Sequence, residues 1–243
     1  MKIAVLFDGA GLARLGLEKA GHSCTGFEIN PIAHHLSCMV GSGNCILADV
    51  LNVNLKEFNA VWASPPCQLC STARTQGFPE SKYSKNLLDW SLSLPHDVLW
   101  VENVTFNAYG NIMKPGWGKV YNAAQFQNFP IQNRNRMIGG RYSEPKVKHL
   151  WKKIFPGICP CITATEYKGC ASDQRRASRY YGRRLTLDEV AYHQGFNIPK
   201  KWYVPLSNYS LQGPQSSWSK ELYRAIGNGV PVYMAYAFGK AVT

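Results

Sequence analysis

The sequence predicts an α/β chain on a Rossmann-like, doubly wound and mainly parallel sheet, with a very small irregular region added. Two observations carry this reading. Short apolar runs alternate with helical stretches through the first half of the chain, and the residues of chemical interest fall just after those runs. In open parallel sheets ligands bind beyond the carboxyl ends of the strands, so packing alone does not readily produce that coincidence.

Residues 3–7 read as the first strand and 12–20 as a helix, with Leu12, Leu15 and Leu17 on or near its buried face. Residues 25–29 form a second strand, 31–39 a second helix, 45–48 a third strand and 60–63 a fourth. A helix over 84–93 then leads to a fifth strand over 98–101. The strand ends carry Asp8-Gly9-Ala10-Gly11, Glu28, Asp49, Pro65-Pro66-Cys67 and Glu102-Asn103. Beyond about residue 140 the texture changes. Residues 141–184 lack clear periodicity and are rich in Lys, Arg, Tyr and Cys. Residues 185–194 look helical, with Thr186 as N-cap and Asp188 and Glu189 in the first turn. Residues 202–219 are expected to be irregular, and 231–242 to form a final helix. The expected organisation is one body from 1–140 plus 185–243, interrupted by 141–184.

A chain of 243 residues, 45% hydrophobic, can bury one sizeable core. The formal charge of +12, from 27 Lys+Arg against 15 Asp+Glu, suits a polyanionic partner. Charge alone leaves a merely soluble basic protein equally open. The 8 cysteines are unevenly spaced, and the opening run Met1 to Phe7 is too short for the apolar core of a signal peptide. No apolar run approaches the roughly 20 residues that span a bilayer. These features predict a reducing cytoplasm, free thiols, no membrane association and a monomer. Cys67-x-x-Cys70 and Cys159-x-Cys161 raise the question of zinc, but no second ligand pair lies nearby, so no metal is expected.

Phe7-Asp8-Gly9-Ala10-Gly11 is a glycine turn between strand and helix, which lets backbone approach a ligand closely. Glu28 ends the next strand, where a carboxylate can bind ribose hydroxyls; Asp49 ends the third and can hold an adenine amino group. Ordinary solvated acids at strand ends are the plainer alternative. The turn is not a Gly-x-Gly-x-x-Gly pyrophosphate loop, so a nucleoside cofactor without a diphosphate, such as S-adenosylmethionine, fits better.

Cys67 follows two prolines at the end of the fourth strand. The prolines fix two φ angles and stiffen the turn, so the thiol is aimed. Carbon 5 of cytosine is a poor nucleophile until a thiolate adds to C6. That chemistry also needs an acid–base group at N3 and a donor to O2. Cys67 is the thiolate candidate. Glu102, ending the apolar run Val98-Leu99-Trp100-Val101, is the N3 candidate. Arg134 and Arg136 in Gln132-Asn133-Arg134-Asn135-Arg136 are candidate donors to O2 or to a carboxylate.

With these residues in order, the chain resembles the DNA cytosine-5 methyltransferase family over most of its length. Pro65-Pro66-Cys67-Gln68 matches the nucleophile motif, and Glu102-Asn103-Val104 the catalytic glutamate motif. Asn122-Ala123-Ala124 and the segment through Arg136 resemble the arginine motif. Leu185-Thr186-Leu187-Asp188-Glu189 with Gln194-Gly195-Phe196 resembles the motif that follows target recognition. Gly227-Asn228-Gly229-Val230-Pro231 resembles the last motif, whose helix packs beside the first. The resemblance implies cofactor contacts from Phe7, Asp8, Gly9, Gly11, Glu28, Ile29, Asp49, Pro65 and Asn228. It implies a base flipped out of double-stranded DNA and a closing loop from Gln68 to about Lys85 that includes Ser71. It places the chain among enzymes of DNA methylation and restriction–modification.

The chain departs from the family in two places. Leu12-Ala13 follows Gly11 where the family has a further glycine. Only 141–184 is left for target recognition, which implies a short or relaxed target sequence. In that segment Arg175, Arg176, Arg179, Arg183 and Arg184 flank Tyr180 and Tyr181, a mixture suited to phosphate contact and base stacking. The compact chain also suggests a viral or mobile-element source. Two rival readings stand beside the DNA enzyme: an RNA methyltransferase, since one group in the family acts on transfer RNA, and a catalytically silent DNA-binding subunit.

Overall fold

In the computed structural model, residues 1–67, 82–105, 118–126, 132–147, 159–168, 177, 181–205 and 216–242 are described. Strands β1 (Lys2–Leu6), β2 (Ser23–Glu28), β3 (Cys45–Leu47), β4 (Ala60–Ala63) and β5 (Val98–Asn103) pair in parallel in the order β3-β2-β1-β4-β5. Every residue of β4 is buried, as are the last four of β1, because helices cover both faces of the sheet.

The alternation along the strands separates two cores. Ile3, Val5, Ala60, Trp62 and Trp100 face α1 (Leu12–Lys19) and α6 (Val232–Lys240), packing with Leu17, Met234 and Phe238. Ala4, Leu6, Val61, Ala63, Leu99 and Val101 face the other way, toward Leu88 of α3 (Lys82–Ser93). The predicted doubly wound architecture is therefore present.

Two features extend it. After β5 the sheet turns antiparallel: β8 (Asn135–Arg141) pairs with β5, and β6 (Gly118–Asn122) pairs with β8 at the edge. A short parallel pair, β7 (Gln132–Asn133) with β9 (Cys159–Pro160), lies outside the main sheet.

The expectation of irregular chain through residue 219 is corrected by helix α5 (Ser216–Asn228). Trp218, Leu222 and Ile226 recur every four residues and form its buried stripe with Tyr223. The preceding Gly-Pro and Ser-Ser pairs mask that periodicity in the sequence.

Helix α4 (Leu187–Gln194) begins with the predicted cap: Thr186 accepts from Glu189 N and Glu189 returns the bond to Thr186 N. Helix α2 (Pro31–Ser37) is capped by Asn30, with proline at its first position. Cys159, Ile162 and Ala177 are buried in one cluster with α4, α5 and Trp202. The described part of 141–184 thus contributes to the same core as the flanking segments.

Helices α1 and α6 approach most closely at Gly16. A Cβ there would lie 2.3 Å from Val232 O and 2.7 Å from Ala235 Cβ. Gly16→Val is expected to cost about 2–3 kcal/mol through overpacking and to lower the urea midpoint without changing the slope of the transition.

Candidate active site

The turn after β1 is tightly specified. Phe7 and Gly9 both have φ of 58° and Gly11 has 79°, backbone that an L side chain such as Phe7 rarely adopts. Asp8 N donates to Phe27 O at 3.1 Å and Gly11 N to Asp8 O at 2.9 Å. The Glu28 carboxylate braces the turn: one oxygen accepts from Gly9 N and the other from Asn30 N, both at 2.8 Å.

Asp8, expected among the cofactor contacts, has its side chain shut inside the fold. Its buried carboxylate pairs with Arg14 Nε at 3.0 Å and accepts from Ser37 Oγ. Burial pushes the Asp8 carboxyl up, and the Arg14 guanidinium pulls against that shift. Asp8 and Arg14 tie the turn to α2, a role in the fold.

The remaining groups at this end suit a nucleoside. Among the described residues, a Cβ on Gly9 would meet only Phe7 O, at 3.9 Å, which leaves space beside the backbone there. Each Glu28 oxygen has a lone pair beyond the one its backbone donor uses, enough to receive ribose hydroxyls. Ile29, beside it, is 60% exposed, an apolar surface for a flat ring. Asp49 caps the 3₁₀ turn Val50–Asn52 through Leu51 N at 3.0 Å and stands at the end of β3. Pro65 is buried, and Asn228 is exposed at the end of α5. Gly229, the next residue, sits against Leu12 at the start of α1. That brings the junction of α5 and α6 beside the first turn.

At the chemical end, Ser64 N donates to Leu6 O at 3.2 Å, so pairing with β1 continues one residue past β4. Asn103 Nδ2 then reaches Pro65 O at 3.3 Å and steadies the proline turn carrying Cys67. Asn103 was legible only as part of a motif; its bond to the proline turn emerges from β4 and β5 being neighbours.

Glu102 lies opposite Ile138 in the β5–β8 ladder, and Arg136 lies two residues along on the same face. Their side chains meet, Arg136 Nε to Glu102 Oε1 at 2.8 Å, with exposures of 11% and 10%. Burial pushes the Cys67 thiol up; Arg136 opposes this, Glu102 adds to it, and Arg134 opposes it more weakly. Cys67, Glu102 and Arg136 thus form one electrostatic group.

Arg134 behaves differently, and the expectation that it serves the reacting base is corrected. It is 1% exposed, with its guanidinium among backbone carbonyls. Its Nη1 donates to Ile162 O and its Nη2 to Gly227 O at 2.9 Å and Gly229 O at 3.0 Å. Residues two apart on a regular strand share a face, but at Arg134 the chain lies between β7 and β8, where the strand is interrupted, and its side chain reaches the carbonyls of Ile162, Gly227 and Gly229 instead. Sequence reasoning missed two companions, Gln132 and Gln194, both fully buried. Gln132 Nε2 donates to His193 O and to Gln194 Oε1, and Gln194 Nε2 to Ile226 O. Buried glutamines in an otherwise polar motif leave no periodic signal.

Of the expected nucleic-acid contacts, Gln68, Ser71, Arg175, Arg176, Arg179 and Tyr180 lie outside the described residues. So does most of the expected closing loop. Arg183 is exposed, but both its Nη atoms engage Glu189, at 2.8 and 2.5 Å. That pairing holds the Glu189 carboxyl down at about 2. Among the described residues no group of three or more His, Cys, Asp or Glu could hold a metal ion, and no helix is long and apolar enough to cross a membrane.

Two outcomes follow. Arg134→Lys is expected to cost about 2–4 kcal/mol in urea unfolding, since a compact ammonium does not reproduce the spread of the guanidinium fork across carbonyls from two segments. Alkylation of Cys67, followed by peptide mass mapping, is expected to stay slow at neutral pH and to accelerate only above the ordinary thiol range of about 8.5. The sign is set by the raised pKa: the neutral thiol persists to higher pH. Arg136→Ala removes the opposing cation and shifts the profile further up; Glu102→Gln shifts it down.

Comparison with known proteins agrees with this geometry. No curated protein matches the chain. Among solved structures, a protein assigned as a DNA modification methyltransferase, encoded within an E. coli prophage, superposes with a TM-score of 0.57 at 16% identity, covering 100% of this chain and 98% of that one. The Entamoeba histolytica methyltransferase EhMeth gives 0.55 at 15% identity over 98% and 96%. The S. pombe Dnmt2 methyltransferase gives 0.53 at 17% identity over 97% and 96%. These likenesses speak for the fold. The family model for C-5 cytosine-specific DNA methylases matches residues 95–243, which carry the glutamate, the arginines and the closing helices, and the chain belongs to that family.

Proposed function

We propose that the chain is a DNA cytosine-5 methyltransferase that uses S-adenosylmethionine and forms a covalent adduct through Cys67. The observation that carries this reading is the Glu102–Arg136 pair beside the Cys67 turn, at the carboxyl ends of β4 and β5. The name of the matched family and that of the prophage neighbour favour DNA as substrate.

Gly9, Glu28, Ile29 and Asp49 are the residues that would hold S-adenosylmethionine, with Glu28 on the ribose hydroxyls and Ile29 against the adenine. When bound, this cofactor supplies an electrophilic methyl group. The protein's own residues do the rest. Cys67 gives up its proton to a water molecule, and its thiolate adds to C6 of a flipped-out cytosine; the electron pair of the C5–C6 π bond becomes available at C5. Glu102, placed near N3, holds a proton there and stabilises the electron-rich ring. Arg136 donates to O2. After C5 is methylated, its proton leaves to a base, the C5–C6 double bond re-forms, and the Cys67–C6 bond breaks.

Arg136 is engaged with Glu102, and O2 of the base would give it a second acceptor. The few base-edge contacts left by a short recognition segment support a short or relaxed target sequence.

Mass spectrometry of nucleosides from cells expressing the chain tests the proposal. A 5-methylcytosine peak in DNA, absent with Cys67→Ala, is the expected result. Unmodified DNA together with 5-methylcytidine in RNA would move the substrate to RNA. No modification of either would overturn the enzyme reading.

A further inference from the structure

A patch of positive charge outside the reacting group has no role in the mechanism above. Lys168 Nζ, Lys220 Nζ and Arg224 Cζ lie 6.0, 5.3 and 5.8 Å from the centre of one ring, that of Tyr167. The ring is half-buried against the core cluster, so the surface on which the cations gather is fixed. Arg224 is paired with Glu221 at 2.8 Å. Among the described residues no carboxylate forms an ion pair with Lys168 or Lys220. A fourth cation, Arg184, stacks on Tyr223 at 4.7 Å. Like charges gathered so closely repel one another, and a polyanion relieves that repulsion while releasing its own counterions.

The patch is also held in register with the reacting residues. Lys220, Arg224 and Asn228 follow one stripe of α5, about 6 Å apart along its axis, leading to the end of the helix beside the first turn. At that end a Cβ on Gly227 would lie 2.3 Å from Thr163 C, so the segment leading to Tyr167 is locked against α5. Arg134 clamps Ile162, Gly227 and Gly229 together, and Arg136 follows two residues later.

We propose that Lys168, Lys220 and Arg224, gathered on the Tyr167 ring, contact the phosphodiester backbone of duplex DNA flanking the target cytosine. This rests on the DNA reading above. Phosphate contacts of this kind fix register and orientation and carry no sequence information. They suit a chain with little room for base-specific contacts.

The test is equilibrium binding of the full chain to a fluorescent cytosine-containing duplex across a salt series. Removing one phosphate-binding cation should lower the slope of log affinity against log salt by about 1. The triple variant Lys168→Ala, Lys220→Ala, Arg224→Ala is expected to reduce that slope by about 2–3 and to weaken binding tenfold or more, with an unchanged melting temperature. Lys220→Arg with Arg224→Lys is expected to keep the slope, and Lys56→Ala, on the turn before β4, to leave it alone. Wild-type binding with an unchanged slope in the triple variant would overturn the patch and leave the proposed function standing. A wild-type chain that binds structured RNA and no duplex DNA would overturn both.

Discussion

The buried guanidinium of Arg134 is the contact on which the arrangement of the site depends. It gathers carbonyls from Ile162 and from Gly227 and Gly229, two segments far apart in sequence. A carbonyl shut away from water needs a donor, and a planar cation with several N–H groups can satisfy a set of them at once. Burial pulls the Arg134 pKa down, with Arg136 adding to that shift, so its donors cost something to bury and are held in place by their acceptors. Through Arg134, the segment after β9 and the junction between α5 and α6 are both anchored to the start of β8. Arg136, the next residue but one, inherits its position from that anchorage.

The two arginines, two residues apart, divide labour because the strand is interrupted at Arg134, between β7 and β8. Arg134 turns into the core and holds the scaffold; Arg136 emerges on the sheet face that carries Glu102. Their motif reads as two equivalent cations, yet one donates through both Nη atoms to buried carbonyls and the other pairs with a carboxylate. Cys67 completes the group from β4, because β4 and β5 are neighbours and their carboxyl ends are level. Its thiol is raised by burial and relieved by Arg136, so the same cation that engages Glu102 also tunes the nucleophile.

The other end of the sheet is organised by backbone. The turn after β1 takes its shape from positive φ angles at Phe7, Gly9 and Gly11, and from Glu28, whose carboxylate accepts two main-chain donors. Asp8 and Arg14 lock that turn to α2 from beneath. The result, among the described residues, is space beside Gly9, an acid with capacity to spare and an exposed Ile29, all at the strand ends where an open sheet receives its ligands.

The sequence by itself determined the parallel half of the sheet, the placing of Cys67, Glu28, Asp49 and Glu102 at strand ends, and the cap at Thr186. Each of these rests on local patterning: apolar runs of strand length, turn glycines and prolines, and a Thr-x-x-Glu box. Tertiary structure alone decided the antiparallel strands β6 and β8, the role of Asp8 in bracing α2, the separation of Arg134 from Arg136, and the gathering of Lys168, Lys220 and Arg224 around Tyr167. Those depend on contacts between residues distant in the chain. Helix α5 lies between the two kinds, since its stripe of Trp218, Leu222 and Ile226 is periodic but begins amid loop-forming residues. Local pattern sets which face of an element is apolar; which polar groups meet across the fold is settled only when buried donors and acceptors must all find partners.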